Sequence, residues 1–382
     1  MFSKLFNDRQ ANIRRAVILL LGIGFFVFLY FFNQIDRVQL VNKQNTGFEK
    51  AVVEEIAQDN INKDGARGDK QKVKVRILSG EYKGKLVDAT SFSGYLYGAD
   101  CKENMKVIVS LSISGDDYVA SVYSYDRSKI VYGFVGLFLL ILWIIGGKKG
   151  FKSAIGLIFT FICIIYLFIP MIYKGYSPFL SAVIIVILIT MVSMYLIDGL
   201  TIKSVCAMLG TISGVVIAGV FAAGFGYFAK ISGYNVSEIE ELVFVANNTK
   251  LQLGGILFAG ILIASLGAVM DVAMSVASTI NEIYNKNPNL SKSELFKSGI
   301  NVGKDMMGTM SNTLILAFTG GSINTLILNY SYSMQYNQII NMYSIGIEVM
   351  QGISGSIGVI LTVPLVSLIT SALLTSNNYK EK

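Results

Sequence analysis

The sequence has no histidine and little charge, and each absence excludes a class of function. Only 15% of the 382 residues are charged, and there are three cysteines and four prolines. Without histidine the chain cannot form a Ser-His-Asp or Cys-His catalytic group, a His-ligated zinc site or a histidine proton relay. Cys101, Cys163 and Cys206 form no C-x-x-C pair, and there is no G-x-x-x-x-G-K-[ST] nucleotide loop. We therefore expect neither an enzyme nor a bound cofactor or metal.

Apolar residues make up 53% of the chain and are gathered in eight stretches with almost no charge. Most of these stretches are close to the length of about 20 residues with which a helix crosses the core of a bilayer. They are residues 16–32, 130–145, 153–173, 179–197, 204–228, 253–278, 306–329 and 345–374. The pattern predicts a polytopic α-helical membrane protein with about eight transmembrane helices and the lipid bilayer as its surroundings.

The first apolar stretch resembles the centre of a signal peptide, but it lacks a cleavage site. Arg9, Arg14 and Arg15 precede it, and it ends in Phe-Phe-Asn-Gln without the small residues that a signal peptidase requires. We therefore interpret residues 16–32 as an uncleaved transmembrane anchor that follows a cytoplasmic N-terminus, residues 1–15.

A polar region of nearly balanced charge, residues 33–129, separates the first two apolar stretches. Apolar and polar residues alternate over 72–78, 85–91, 106–113 and 118–125, with glycine-containing turns between these segments. Period-2 alternation bounded by turns is typical of short antiparallel strands. We expect a small all-β extracytoplasmic domain, a barrel or a sandwich, that acts as a spacer without catalysis.

The distribution of basic residues predicts the orientation. With the N-terminus inside, fourteen lysines and arginines fall on the cytoplasmic side, whereas the short outer loops hold only Lys174, Lys230 and Lys250. This is a positive-inside pattern with both termini cytoplasmic. It gives a seven-helix transmembrane domain at 130–375 and a cytoplasmic tail at 376–382. Because topology explains the net charge of +7, no nucleic-acid partner is expected.

Asp271 is the most unusual polar residue, because six uncharged residues flank it on either side within an apolar stretch. A carboxylate in a membrane span usually lines a polar path or has a hydrogen-bond partner. Thr309, Asn312 and Thr313 on the following span are the candidate partners. The alternative to a path is a structural hydrogen bond between helices.

Further polar residues lie at the ends of the last two spans. Lys304 and Asp305 precede the seventh span, and Glu348 begins the eighth, where each could also be an ordinary interfacial charge. The candidate intramembrane polar path for a proton or cation consists of Asp271, Lys304, Asp305, Asn312, Thr313 and Glu348.

The segment before the seventh span predicts a separate amphipathic helix. Ser291 and Glu294 have the spacing of a capping box, and a short apolar stripe follows them. We expect this helix to lie at the cytoplasmic interface and to bend into the span at Gly299 or Gly303. It could rest on the membrane, belong to a re-entrant gate, or bind a cytosolic partner.

Three segments resemble the YibE/F-like family of bacterial multi-pass membrane proteins. They are GAVMDVAMSVAS at 267–278, SGINVGKDMMGTMSNTLILAFTGGS at 298–322 and GSIGVILTVPL at 355–365. The resemblance implies an anchor, a small extracytoplasmic β-domain and seven further spans in a bacterial cell membrane, with an intramembrane core at Asp271, Lys304, Asp305, Asn312 and Thr313. It implies no activity. The sequence departs from the family after Ser322, where members tend to carry a proline.

Three functions fit these features. Polar residues inside glycine-rich spans favour a transporter or permease for a small solute or ion. The segment 291–304 could instead bind a separate ATPase that drives a membrane complex. The extracytoplasmic domain could also serve envelope structure or assembly. A cytosolic or membrane partner protein and a homo-oligomer both remain open.

Overall fold

The computed structural model describes residues 9–35, 37–38, 40, 46–59, 70–92, 98–114 and 117–376. The first residues of the predicted cytoplasmic N-terminus and nearly all of the predicted tail, 377–382, lie outside these ranges. The chain divides into two compact units. One unit consists of residues 39–145, and the other of residues up to 38 together with those from 146 onward.

The first unit contains a closed five-stranded barrel. Its strands are β1 (Thr46–Gln58), β2 (Lys70–Ile77), β3 (Leu86–Phe92), β4 (Lys106–Ser114) and β5 (Asp117–Tyr125). They close in the order β1-β2-β3-β5-β4. Every neighbouring pair is antiparallel except β3 and β5, which are parallel. This Greek-key arrangement is that of the OB-fold class of small barrels.

The alternation in β2 explains how the barrel obtains its core. Val73, Val75 and Ile77 are at most 1% exposed, whereas Lys72 and Arg76, on the other face of the strand, are exposed to solvent. Four strands lie where the alternation predicts them. The sequence did not predict β1. Its pairing with β2 shifts register twice, between Val53 and Glu55 and again between Ile56 and Gln58. Such bulges interrupt the period of two that marks a strand in a sequence.

One buried polar group in the barrel is fully paired. The Gln71 amide donates to the Cys101 carbonyl at 3.0 Å and accepts from the Cys101 backbone N–H at 2.9 Å. Nearby, Ser91 Oγ donates to the Ala99 carbonyl at 2.6 Å. Paired in this way, these groups avoid the cost of burying an unsatisfied donor or acceptor, and they fix the chain that enters β4.

Cys101 should therefore be unreactive in the folded barrel. Its side chain is 2% exposed, and burial raises the pKa of its thiol, so less of the reactive thiolate forms at any given pH. In a fragment of residues 34–127, Cys101 should react with a maleimide at pH 8 at least roughly a hundredfold more slowly than after unfolding in urea. Mass spectrometry over time measures both rates. Equal rates would show that the barrel does not enclose this residue.

The second unit is helical apart from its connections. The helices of the chain are α1 (Arg9–Phe32), α2 (Ser128–Cys163), α3 (Ile169–Tyr173), α4 (Pro178–Asp198), α5 (Ile202–Ala229), α6 (Ile239–Asn248), α7 (Ile256–Lys286), α8 (Lys292–Gly321), α9 (Ile323–Ser331), α10 (Tyr336–Ile340) and α11 (Tyr343–Leu374). A π-helical turn, Ile164–Phe168, joins α2 to α3, and a 3-10 turn, Gly233–Asn235, precedes α6.

Among the described residues, five helices are long and apolar enough to cross a membrane, or six if α8 and α9 count as one broken span. The chain thus has the apolar helices of a membrane protein, but the predicted number of about eight spans is not confirmed. Two predicted spans, 130–145 and 153–173, belong to one helical stretch of 46 residues. Gly147 interrupts it with φ 54° and ψ −133°, a left-handed conformation that glycine adopts without strain.

Small residues bring α5 and α11 into close contact. A Cβ added at Gly210 or Gly214 would overlap Val366 or Thr362, and one at Gly358 would lie 2.8 Å from the Ala218 side chain. Helices that approach so closely gain dispersion contacts, which replace the hydrophobic effect as the driving force in lipid. These glycines therefore serve the close packing of the two helices.

Candidate functional site

The predicted capping box starts α8, but the predicted bend does not occur. The Ser291 hydroxyl accepts from the Glu294 N–H at 3.3 Å, and the Glu294 carboxylate accepts from the Ser291 N–H at 2.8 Å. From there the helix continues to Gly321 through Gly299 and Gly303. Both glycines are buried, and a Cβ at either position would overlap α11, at Ser367 or Val363. They are thus sites of close packing, not hinges.

The bend lies instead at Ser322. There α8 ends and α9 begins, and the two helix axes differ by 59°. The Ser322 N–H donates to the carbonyls of Phe318 and Thr319 at 3.1 and 3.2 Å. Gly320 and Gly321 precede the break, and glycine is a poor helix former, so the helix ends here without a proline. The predicted single span 306–329 is therefore a broken helix.

A polar cleft of about 430 Å³ opens beside this break. Its polar lining comes from three separate parts of the chain: the segment before α6, the break with α9, and the first turns of α11. These residues are Asn235, Ser237, Glu238, Ser322, Thr325, Ser344, Glu348 and Gln351. No lysine or arginine is among the described residues that line it.

Glu348 and Ser322 connect the polar cleft to a second cavity. Both residues also line an adjoining, mostly apolar cavity of about 230 Å³ between α8, α9 and α11. The side chain of Glu348 is half-buried, so its carboxylate is reached from the cleft and is partly enclosed by the helices. Of the six residues predicted to form a polar path, Glu348 lines both of these cavities.

The other five predicted residues are exposed on α7 and α8. Thr313 uses its hydroxyl within its own helix, where it donates to the Thr309 carbonyl at 3.0 Å. Asp271 is exposed on α7, and among the described residues no hydrogen bond or ion pair links it to Asn312, Thr309 or Thr313. The structure therefore does not gather the six residues into one cluster.

The packing of α7 against α8 sets the level of Asp271 along the helix axes. The two helices run antiparallel, and Ile280 contacts Gly299. Asp271 lies nine residues before Ile280, and Gly308 lies nine residues after Gly299. Because the helices are antiparallel and both rise by about 1.5 Å per residue, Asp271 is at about the level of Gly308. Glu348 lies instead beside the break that ends α8, so the two carboxylates are at different levels along the helices.

Glu238 is a cleft residue that the sequence did not reveal. It adopts φ 56° as it begins α6, an uncommon conformation for a residue other than glycine. A strained backbone of this kind is often found at functional sites. Glu238 has no motif around it, and its proximity to Glu348 depends on the fold alone. Among the described residues no group of three or more His, Cys, Asp or Glu side chains is arranged to hold a metal ion.

The comparisons with known proteins give one match, which covers most of the helical part of the chain. The model of the YibE/F-like protein family matches residues 134–376, more than half of the chain. The chain belongs to the YibE/F-like family. The matched YibE/F-like region includes α4 to α11 and every residue of the polar cleft, whereas α1 and the barrel lie outside it. No curated protein and no solved structure gives a significant match.

Proposed function

We propose that this YibE/F-like protein is a transporter-like membrane protein that receives a small cation or a proton in the cleft beside the α8–α9 break. The observation that carries the proposal is the presence of two carboxylates, Glu348 and Glu238, in a cleft without a lysine or arginine in its described lining. In this proposal the protein lies in the bacterial cell membrane with both termini cytoplasmic and catalyses no reaction.

The broken helix leaves the sign of the charge in the cleft to its two carboxylates, which favour a cation as the solute. The last carbonyls of α8 carry a partial negative charge, and the first N–H groups of α9 carry a partial positive one of similar size. These two contributions oppose each other at Ser322, so the full charges of Glu348 and Glu238 decide the sign of the potential. Broken helices at membrane depth are a recurring way of building ion sites in transporters.

The packing of α8 against the rest of the helical unit weighs against the ATPase-driven alternative. That function needs a free apolar surface on the segment 291–304. Leu295 is fully buried and Ile300 packs against the core of the chain's own bundle, so this stripe is already occupied. For the envelope alternative, the barrel supplies a compact domain, but nothing in its surface favours a particular partner.

The proposal predicts that Glu348→Gln abolishes most cation flux. In proteoliposomes with an imposed membrane potential, a pH-sensitive dye and sodium- and potassium-sensitive dyes report the uptake of each ion. Glu348→Gln keeps the size of the side chain but removes its charge, so flux should fall by roughly an order of magnitude. Glu238→Gln should have a smaller effect in the same direction.

Glu282→Gln is the matched control. Glu282 is exposed on α7, outside the cleft lining, and forms an ion pair with Lys286 on the same helix, at 3.6 Å. This variant should transport like the parent protein. If the parent gives no more flux than protein-free liposomes, or if Glu348→Gln leaves the flux unchanged, the proposal is wrong.

A further inference from the structure

One face of α8 is polar and is not covered by any of the residues that the structure describes. Its exposed residues include Asn301, Lys304, Asp305, Gly308 and Asn312. Lys304 and Asp305 follow Asn301 by three and four residues, and Gly308 and Asn312 continue from Asp305 at steps of three and four, so all five share one helix face. The opposite face, with Leu295, Gly299, Gly303 and Leu314, is buried against the bundle. Among the described residues no ion pair or hydrogen bond engages the side chains of Lys304, Asp305 or Asn312.

This face is costly if it is left in lipid. About 20 helical residues cross the hydrocarbon core. If the span is taken as the roughly 20 residues of α8 before the break at Ser322, Asn312 lies near its middle, and Lys304 and Asp305 lie near its other end. An amide or a charge that faces lipid at such a depth is unfavourable, and in membrane proteins such groups form hydrogen bonds between helices. A second protein surface must therefore cover the face.

We infer that a second copy of this chain covers it, so that two α8 helices pack side by side about a two-fold axis along the membrane normal. Two copies inserted with the same orientation bring each residue of α8 to the depth of its own counterpart. Lys304 of one copy then meets Asp305 of the other, and the reverse pair forms as well, because contacts across a two-fold axis are reciprocal. The face is thus complementary in charge to itself.

The centre of the face fits the same arrangement. A Cβ added at Gly308 would have no atom within 4 Å, so the surface above this residue is open to a second helix. One turn further, Asn312 can donate to and accept from the amide of its counterpart. The spacing of Asn301, Asp305, Gly308 and Asn312, alternately four and three residues, is that of the contact line between helices that cross at about 20°. The inference does not depend on the proposed transport function.

Cross-linking in native membranes tests it. Asn312→Cys should give a disulfide-linked dimer when an oxidant is added, because the two thiols would face each other. Ala317→Cys is the control, since Ala317 is also exposed on α8 but lies on the other side of the helix. It should stay monomeric. Equal cross-linking of both variants, no dimer from Asn312→Cys, or a cross-link to a different protein would each overturn the inference.

Exchanging the charges of Lys304 and Asp305 tests whether the two copies are held by ion pairs or are only close to each other. Lys304→Asp alone places like charges opposite each other and should lower the dimer fraction, measured by single-molecule photobleaching in liposomes, by roughly three- to tenfold. The double variant Lys304→Asp with Asp305→Lys restores both reciprocal pairs and should recover the dimer. If the double variant is as monomeric as the single one, the two-fold arrangement is wrong. Loss of flux in Glu348→Gln with intact cross-linking would affect only the transport proposal.

Discussion

Replacing Gly214 with leucine is expected to prevent the helical unit from assembling. A Cβ at this position would overlap Thr362 Oγ1 and lie 2.9 Å from Val269 and 3.2 Å from the Gly358 carbonyl. The last of these atoms belongs to the backbone of α11 and cannot move without shifting that helix. Overpacking a close contact typically costs 1–3 kcal/mol, and leucine adds three further carbon atoms beyond Cβ, so we expect a loss of about 3 kcal/mol or more.

Gly224→Leu is the matched control on the same helix. A Cβ at Gly224 would have no atom within 4 Å, so the side chain can extend outward. This variant should change stability by less than about 0.5 kcal/mol. Thermal unfolding in detergent, followed by fluorescence-detected size exclusion, compares the two. If Gly214→Leu melts at the temperature of the parent, α5 and α11 are not packed as described.

Replacing Val75 with aspartate should unfold the barrel. Val75 is fully buried in β2, between the buried residues Val73 and Ile77, in a cluster of apolar side chains. An unpaired charge in such a core costs several kcal/mol even after it takes up a proton. For a small domain whose total stability is about 5–15 kcal/mol, we expect a loss of at least about 4 kcal/mol.

Lys72→Asp provides the comparison on the same strand. Lys72 is exposed three residues before Val75, so the substitution changes charge without burying it. It should alter stability by less than about 1 kcal/mol. Urea unfolding of the 34–127 fragment, followed by circular dichroism, measures both variants. A parent fragment without cooperative unfolding would mean that the barrel needs the rest of the chain, and equal midpoints for the two variants would contradict the burial of Val75.

Local patterns in the sequence predicted the structure correctly where that structure depends on residues within a single element. The capping box at Ser291 and Glu294 depends on residues three positions apart, and both of its hydrogen bonds form. The four alternating strands follow from side chains that point to opposite faces of the same strand. The three quoted segments also identified the YibE/F-like family, which the match over residues 134–376 confirms.

Predictions that needed contacts between distant segments were less successful. Asp271 and Asn312 seemed suitable partners because they lie on consecutive spans, yet both are exposed and no bond joins them. Which face a helix turns toward its neighbours depends on all the helices around it, and Gly299 and Gly303 turn α8 toward α11. That rotation leaves the polar residues of α8 on the outside.

The amino-acid pattern alone was sufficient to show that the chain combines apolar helices with a small β-domain, because both periodicities are properties of a single segment. The position of the candidate site became visible only once the helices were packed together. The break at Ser322 has no proline to signal it, and the cleft unites Glu238 with Glu348, which are 110 residues apart. Their meeting depends on how α6, α9 and α11 pack, and the free energy of packing is shared among many contacts, none of which leaves a local pattern in the sequence.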